Sequence, residues 1–181
     1  ADFHEFSGSF DGKGYTISGL SVTGTENAGL FGVTKKAEIS NLVVKGSVSG
    51  TSNAGGIVAK AKDTITLKNC GNEAAVTSGE NAGGIIGNKF TSGSDYTVTN
   101  CYNTGNVTAT GNTSYNRAGG IVGSFNGTAN ILNSYNAGTI TSDSYAGGLI
   151  GGSGNAENCY NLGTVQGGSE TKFGTLTNSA Y

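Results

Sequence analysis

The 181-residue chain holds 33 glycines but no proline, methionine or tryptophan, and only 12% of its residues are charged, giving a formal net charge of −2. That balance excludes collagen and proline-rich linkers, offers no basic footprint for nucleic acid, and leaves no run of about eighteen apolar residues that could cross a bilayer as a helix. The length suits one domain, 1–181, with no shift of composition to mark a second, and the missing initiator methionine suggests a processed piece with neighbouring domains in a larger chain.

Residues 1–22 read as an atypical first coil. Phe3, Phe6 and Phe10 surround Gly8 and Asp11-Gly-Lys-Gly14, and Tyr15-Thr-Ile-Ser-Gly-Leu-Ser-Val22 follows. Ile17, Leu20 and Val22 take the places that Ile39, Leu42 and Val44 hold in the next copy, with Gly19 where that copy has Asn41. The phenylalanines are expected to cover the open apolar end, as terminal repeats usually do.

Regular repeats occupy 23–165. A Gly-apolar-apolar element recurs as Ala28-Gly-Leu-Phe-Gly32, Gly55-Gly-Ile-Val-Ala59, Gly83-Gly-Ile-Ile-Gly87, Ala118-Gly-Gly-Ile-Val-Gly123 and Gly147-Gly-Leu-Ile-Gly151, alternating with an element that carries Asn41, Asn69, Asn100, Asn133 and Asn158. Asn41 to Gly56, Asn69 to Gly84 and Asn133 to Gly148 are each fifteen residues, whereas Asn100 to Gly120 is twenty because of an insertion at Thr110–Tyr115. Apolar pieces so short, broken by Gly and Asn, do not suit helices. They predict three short strands per coil and a right-handed parallel β-helix of about six to seven coils, with equivalent strands about 4.8 Å apart.

The residue after each asparagine (Leu20, Leu42, Cys70, Cys101, Ser134, Cys159, Ser179) is small or apolar and is expected to point inward. Three free, buried thiols follow, because Cys101 and Cys159 stand two coils, about 10 Å, apart, and parallel neighbours in register approach a disulfide poorly. The asparagines themselves read as a structural ladder at a buried bend. Asn tolerates the left-handed conformation, and its amide can bond the same amide one coil away.

Chemistry is sparse. The cysteine spacing forms no zinc motif, and His4, the sole histidine, lacks the second histidine of H-E-x-x-H. Neither a metal, a cofactor nor a catalytic residue is expected. The enzyme alternative, turnover of a polysaccharide, would have to rest on Glu26, Glu80 or Asp11, and nothing in so polar a stretch is expected to raise a carboxyl pKa. Tyr102, Tyr135 and Tyr160 are the candidate ligand-binding residues, predicted to face outward on three consecutive coils where aromatic faces could stack on sugar or anchor a protein. The sole arginine, Arg117, joins them beside the insertion.

Residues 166–181 form a shortened last coil, in which Asn178 would close the ladder and an unpaired edge could template end-to-end self-association. The opening Phe6-Ser-Gly-Ser-Phe-Asp-Gly-Lys-Gly-Tyr-Thr-Ile-Ser-Gly-Leu20, with Ala28-Gly-Leu-Phe-Gly32 and the repeated Gly-Gly-Ile-Val-Gly and Asn-Cys-Tyr-Asn-x-Gly-x-Val, resembles the GLUG-repeat regions of bacterial surface proteins. These include the non-catalytic repeat regions of IgA-specific metallo-endopeptidases and many adhesin-like proteins. The resemblance implies a secreted or cell-surface bacterial module, Gram-positive by preference, without the family's protease domain. The expected role is a non-enzymatic stalk or adhesion unit that binds host glycan or a surface protein.

Overall fold

Two apolar residues between glycines cannot complete a helical turn, but they can pair with the same two residues of the next copy. That is what they do in the computed structural model, which describes residues 4–90, 96–111, 115–125, 130–167 and 175–177. Every strand pairing is parallel, and each joins a segment to its equivalent one coil away. The fold is an all-β solenoid of about five turns. The expected six to seven counted the part-coils at the ends, and the last of these lies mostly outside the described residues.

The coils are not alike. The first two are nearly continuous strands, Phe6–Ala28 and Phe31–Gly55, and the third opens with Val58–Asn72 before breaking into Ala75–Ser78 and Asn81–Gly83. The fourth consists of five short strands, Ile86–Lys89, Tyr96–Thr99, Tyr102–Asn103, Val107–Ala109 and Arg117–Gly119, and the fifth repeats this with Val122–Phe125, Asn130–Leu132, Tyr135–Asn136, Ile140–Ser142 and Tyr145–Gly147. In these two coils five strands stand where three were expected. The asparagine-bearing element, Val98-Thr-Asn-Cys-Tyr102 or Ile131-Leu-Asn-Ser-Tyr135, is split by its own asparagine, since Asn100 and Asn133 sit at φ +54° and +49° and turn a corner there.

The first coil also departs from its expected register. Phe10 pairs with Ile39, Tyr15 with Leu42, Ile17 with Val44, Leu20 with Gly46 and Val22 with Val48. Phe6 and Phe10 are therefore core residues of this coil, half-buried with their rings 4.7 and 5.4 Å from Phe31, and Gly19 does not stand in the asparagine column. Aromatic bulk does here what aliphatic residues do in later coils. Phe3 lies outside the described residues.

The core is divided into two lobes. The larger holds Ile39, Leu42, Ile57, Ile65, Leu67, Cys70, Ile85, Val98, Ile121 and Ile131, and the smaller holds Val48, Ala54, Val76, Ala82, Val107, Ala118 and Ile140. Leu42, Cys70, Cys101, Ser134 and Cys159 are each at most 2% exposed, and none of the three thiols is in a disulfide. Between the lobes the solenoid is pinched. A Cβ added to Gly56, Gly84, Gly120 or Gly148 would lie 2.1 to 2.5 Å from an amide atom of Asn72, Asn103, Asn136 or Asn161, or from backbone of the next coil. The repeated Gly-Gly is therefore required by close approach across the cross-section.

Candidate functional site

Asn41, Asn69, Asn100, Asn133 and Asn158 all adopt left-handed backbone, φ +49° to +54°. Asn69 Nδ2 donates to Asn41 Oδ1 (3.0 Å), Asn100 Nδ2 to Asn69 Oδ1 (3.2 Å) and Asn158 Nδ2 to Asn133 Oδ1 (3.3 Å). The column lies on the outside and is mostly exposed, so the buried bend assumed from the sequence is not where these amides sit. Asp11 stands at its N-terminal end, accepting from Asn41 Nδ2 and from the Lys13 N–H, both at 2.9 Å. The Asn41 bond and then the Lys13 bonds hold its carboxyl down at about 2. Asp11 thus stays ionised at neutral pH and is poorly placed as a general acid. Asn178 lies outside the described residues.

A second ladder went unrecognised in the sequence. Asn72, Asn103, Asn136 and Asn161 are at most 8% exposed, and each passes an amide hydrogen to the next at 2.7 Å. Asn136 uses its full capacity: it donates to Asn161 Oδ1 and the Gly138 carbonyl, and accepts from Asn103 Nδ2 and the Gly138 N–H. The available signal was Tyr-Asn-x-Gly at 102–105, 135–138 and 160–163, whose glycine lets the chain press on the coil before it.

The tyrosine column is outward, as its strand position requires, but its faces are occupied. Tyr102 and Tyr135 stack at 5.6 Å and 12°, and Tyr135 and Tyr160 at 5.2 Å and 3°. The far face of Tyr102 lies on Gly71, where a Cβ would come within 2.3 Å of the ring. Tyr102 Oη donates to Glu73 Oε1 at 3.1 Å, and Lys45 pairs with the same carboxylate at 2.7 Å. Burial, and then this carboxylate, push the Tyr102 phenol up to about 12. Ring edges and hydroxyls line the flank, and Tyr160, 42% exposed, is the most open of the three.

Arg117 belongs to a different face. It continues the column Asn27, Asn53, Asn81 and is followed by Tyr145. The chain doubles back at Gly-Gly, so that Asn88 Nδ2 reaches across the bend to Asn53 Oδ1 at 2.9 Å. The outer side of the pinch is consequently a groove. One cavity of about 380 Å³ is lined by Asn81, Asn88, Lys89, Phe90, Arg117 and Ser124, and a second of about 270 Å³ by Tyr115, Arg117, Tyr145 and Gly151–Ser153. The Arg117 guanidinium stands 5.9 Å from the Tyr115 ring and 5.6 Å from that of Tyr145. Lys89 is almost wholly buried, with Nζ 5.4 Å from the Phe125 ring, and burial lowers its pKa. The structure therefore places Arg117 on a different face from the tyrosine column, so the four candidates do not form one site. Among the described residues no group of three or more His, Cys, Asp or Glu side chains could hold a metal.

No family model matches the chain. Ninety residues, 48% of the chain, align at 38% identity with halomucin of Haloquadratum walsbyi (strain DSM 16790 / HBSQ001), and the chain spans 1% of that relative's length. Among solved structures, that of "a putative immunoglobulin A1 protease" from Bacteroides ovatus is similar with a TM-score of 0.68 at 22% identity, over 95% of this chain and 68% of that one. At that identity the likeness shows the fold, a parallel β-solenoid.

Proposed function

We propose that this chain is a non-enzymatic repeat module of a larger secreted or cell-surface bacterial protein, a stalk that also adheres to host glycan or surface protein through its flank. The observation that carries this reading is the set of like-residue columns: two asparagine ladders and a tyrosine stack tie each coil to the next and stiffen one long flank. The halomucin match, in which a stretch of this kind forms a small part of a very large protein, and the GLUG-like motifs support it.

The test presents the purified domain to an array of host glycans and matrix proteins, beside a Tyr102, Tyr135, Tyr160 triple alanine variant and surface labelling of intact cells. Specific binding together with labelling is expected. Labelling without binding by either protein reduces the module to a stalk, and an epitope reached only after lysis overturns the surface assignment.

One observation favours a second reading, self-assembly. The strand Phe6–Ala28 pairs with the second coil only, so its other edge has no partner among the described residues. Light scattering that shows a monodisperse 18 kDa species across concentration would reject it.

A further inference from the structure

The groove outside the Gly-Gly pinch is filled at one level and open at the next. In the second coil Asn53 Oδ1 accepts two hydrogens, from Asn81 Nδ2 of the following coil (3.1 Å) and from Asn88 Nδ2 across the bend (2.9 Å). One coil further on, the corresponding donors would come from positions 117 and 124. These are Arg117, in register with Asn81, and Ser124, in register with Asn88. The Arg117 guanidinium is instead drawn to the rings of Tyr115 and Tyr145, its Cδ over Gly152, and a serine is too short to span the bend. Asn81 Oδ1 is left without a hydrogen-bond partner in a side chain 7% exposed, and it lines the 380 Å³ cavity. An unpaired buried carbonyl of this kind is costly unless something supplies a hydrogen.

What surrounds that acceptor defines the missing occupant. Arg117 has no carboxylate partner among the described residues, so its forked donors are available to a planar anion. Lys89 lines the same cavity with Asp63 near enough to offset part of its charge, and Lys60 holds its ammonium 4.5 Å from the Phe90 ring. Phe90 and Tyr115, 60% and 64% exposed, flank the groove with apolar rings. A hydroxyl donor, a carboxylate and a ring with C–H faces belong together in one class of molecule.

We propose that the groove at Asn81 and Arg117 is a subsite for a carboxylated sugar, whose carboxylate takes the Arg117 fork, whose hydroxyl donates to Asn81 Oδ1 and whose ring lies against the aromatic flank. The proposal rests on the adhesion reading and narrows it to one site, distinct from the tyrosine column. Uronates and sialates share this chemistry.

The experiment titrates the 181-residue domain with glucuronate-, galacturonate- and N-acetylneuraminate-terminated oligosaccharides, their carboxyl-reduced counterparts and a glutamate-rich peptide. Two variants are run in parallel. Arg117→Gln removes the fork, whereas Ser124→Asn supplies the donor that Asn88 provides one coil earlier and so fills the groove without removing any group. At least one acidic sugar is expected to bind about tenfold to a hundredfold more tightly than its reduced form, a margin that either variant abolishes. Which sugar wins separates the uronate source from the sialate. Equal binding of the reduced forms, preference for the peptide, or acidic-sugar binding that survives both variants overturns the subsite and leaves adhesion elsewhere on the flank intact. Absence of binding to these probes overturns it too, and the wider array then decides whether adhesion itself fails.

Discussion

The first two coils and the coils from the third onward solve the same packing problem with different chemistry. In the early coils the cross-section is filled with side chains: Val44 takes the place that Asn72 takes one coil later, Leu30 lies near the bend where later coils have a second glycine, and Phe6, Phe10 and Phe31 pack together. Ion pairs tie the coils at this end, with Lys35 of the second coil and Lys62 of the third both on Glu5. In the later coils the same space holds an amide ladder pressed on glycine backbone, and a tyrosine stack takes over outside. Valine goes with a bulky bend and asparagine goes with Gly-Gly, so the two positions change together within a single chain.

Substitutions of the glycines around the Gly-Gly bend should separate the two regions most sharply. Gly120→Ala would put a methyl 2.1 Å from the Gly148 carbonyl oxygen and 2.5 Å from the Asn136 amide carbon, whereas at Gly32 the nearest atom would be 3.3 Å away. Urea unfolding should show a loss of about 3 kcal/mol or more for Gly120→Ala, and about 1 kcal/mol or less for Gly32→Ala. Equal losses would erase the distinction drawn here. Asn136→Ala comes next, expected at about 2–4 kcal/mol because it strands a donor on Asn103, an acceptor on Asn161 and the Gly138 N–H in the interior.

The parallel solenoid was legible because its evidence is periodic, and the left-handed corners were legible because asparagine at fixed spacing has few other uses. Contacts made across the cross-section were not. The Gly-Gly pair reads as a turn until Asn136 is seen lying against Gly120, and Asn103 reads as one more strand residue beside Tyr102. In the first coil, Ile17-Ser-Gly-Leu20 imitates Ile39-Ser-Asn-Leu42 well enough to hide that Phe10 pairs with Ile39. The outward placement of the tyrosines followed from alternation, but their mutual stacking depends on coil spacing and ring orientation. Arg117 was conspicuous as the sole arginine, while the acceptor beside it, Asn81 Oδ1, becomes unusual only once its neighbours are known.

Two smaller effects follow from titration. The Tyr102 phenol is raised from an ordinary value near 10 to about 12, so the stability it contributes is complete below about pH 10 and falls as pH rises toward 12. Absorbance titration of tyrosinate should find two late-titrating groups, Tyr102 and Tyr96, whose phenol burial also pushes up, and Glu73→Gln should bring only the Tyr102 step earlier by removing the second of its causes. Asp11 works in the opposite sense. Its carboxyl is depressed to about 2, so its contribution is complete above about pH 4 and is lost as pH falls toward 2. Asp11→Asn should flatten that acid limb of the thermal melts slightly, leaving the alkaline limb at Tyr102 unchanged.

The stacking of each coil on the one before also bears on mechanics. Asn41 and Asn69 bond across 28 residues of sequence while lying one above the other. A chain pulled from its two ends would surrender its length one winding at a time. Each winding released would pay out about 28 residues of extended chain, roughly 95 Å, for a loss of only about 5 Å of stacked height. A solenoid built this way would yield under load in long steps, one winding after another.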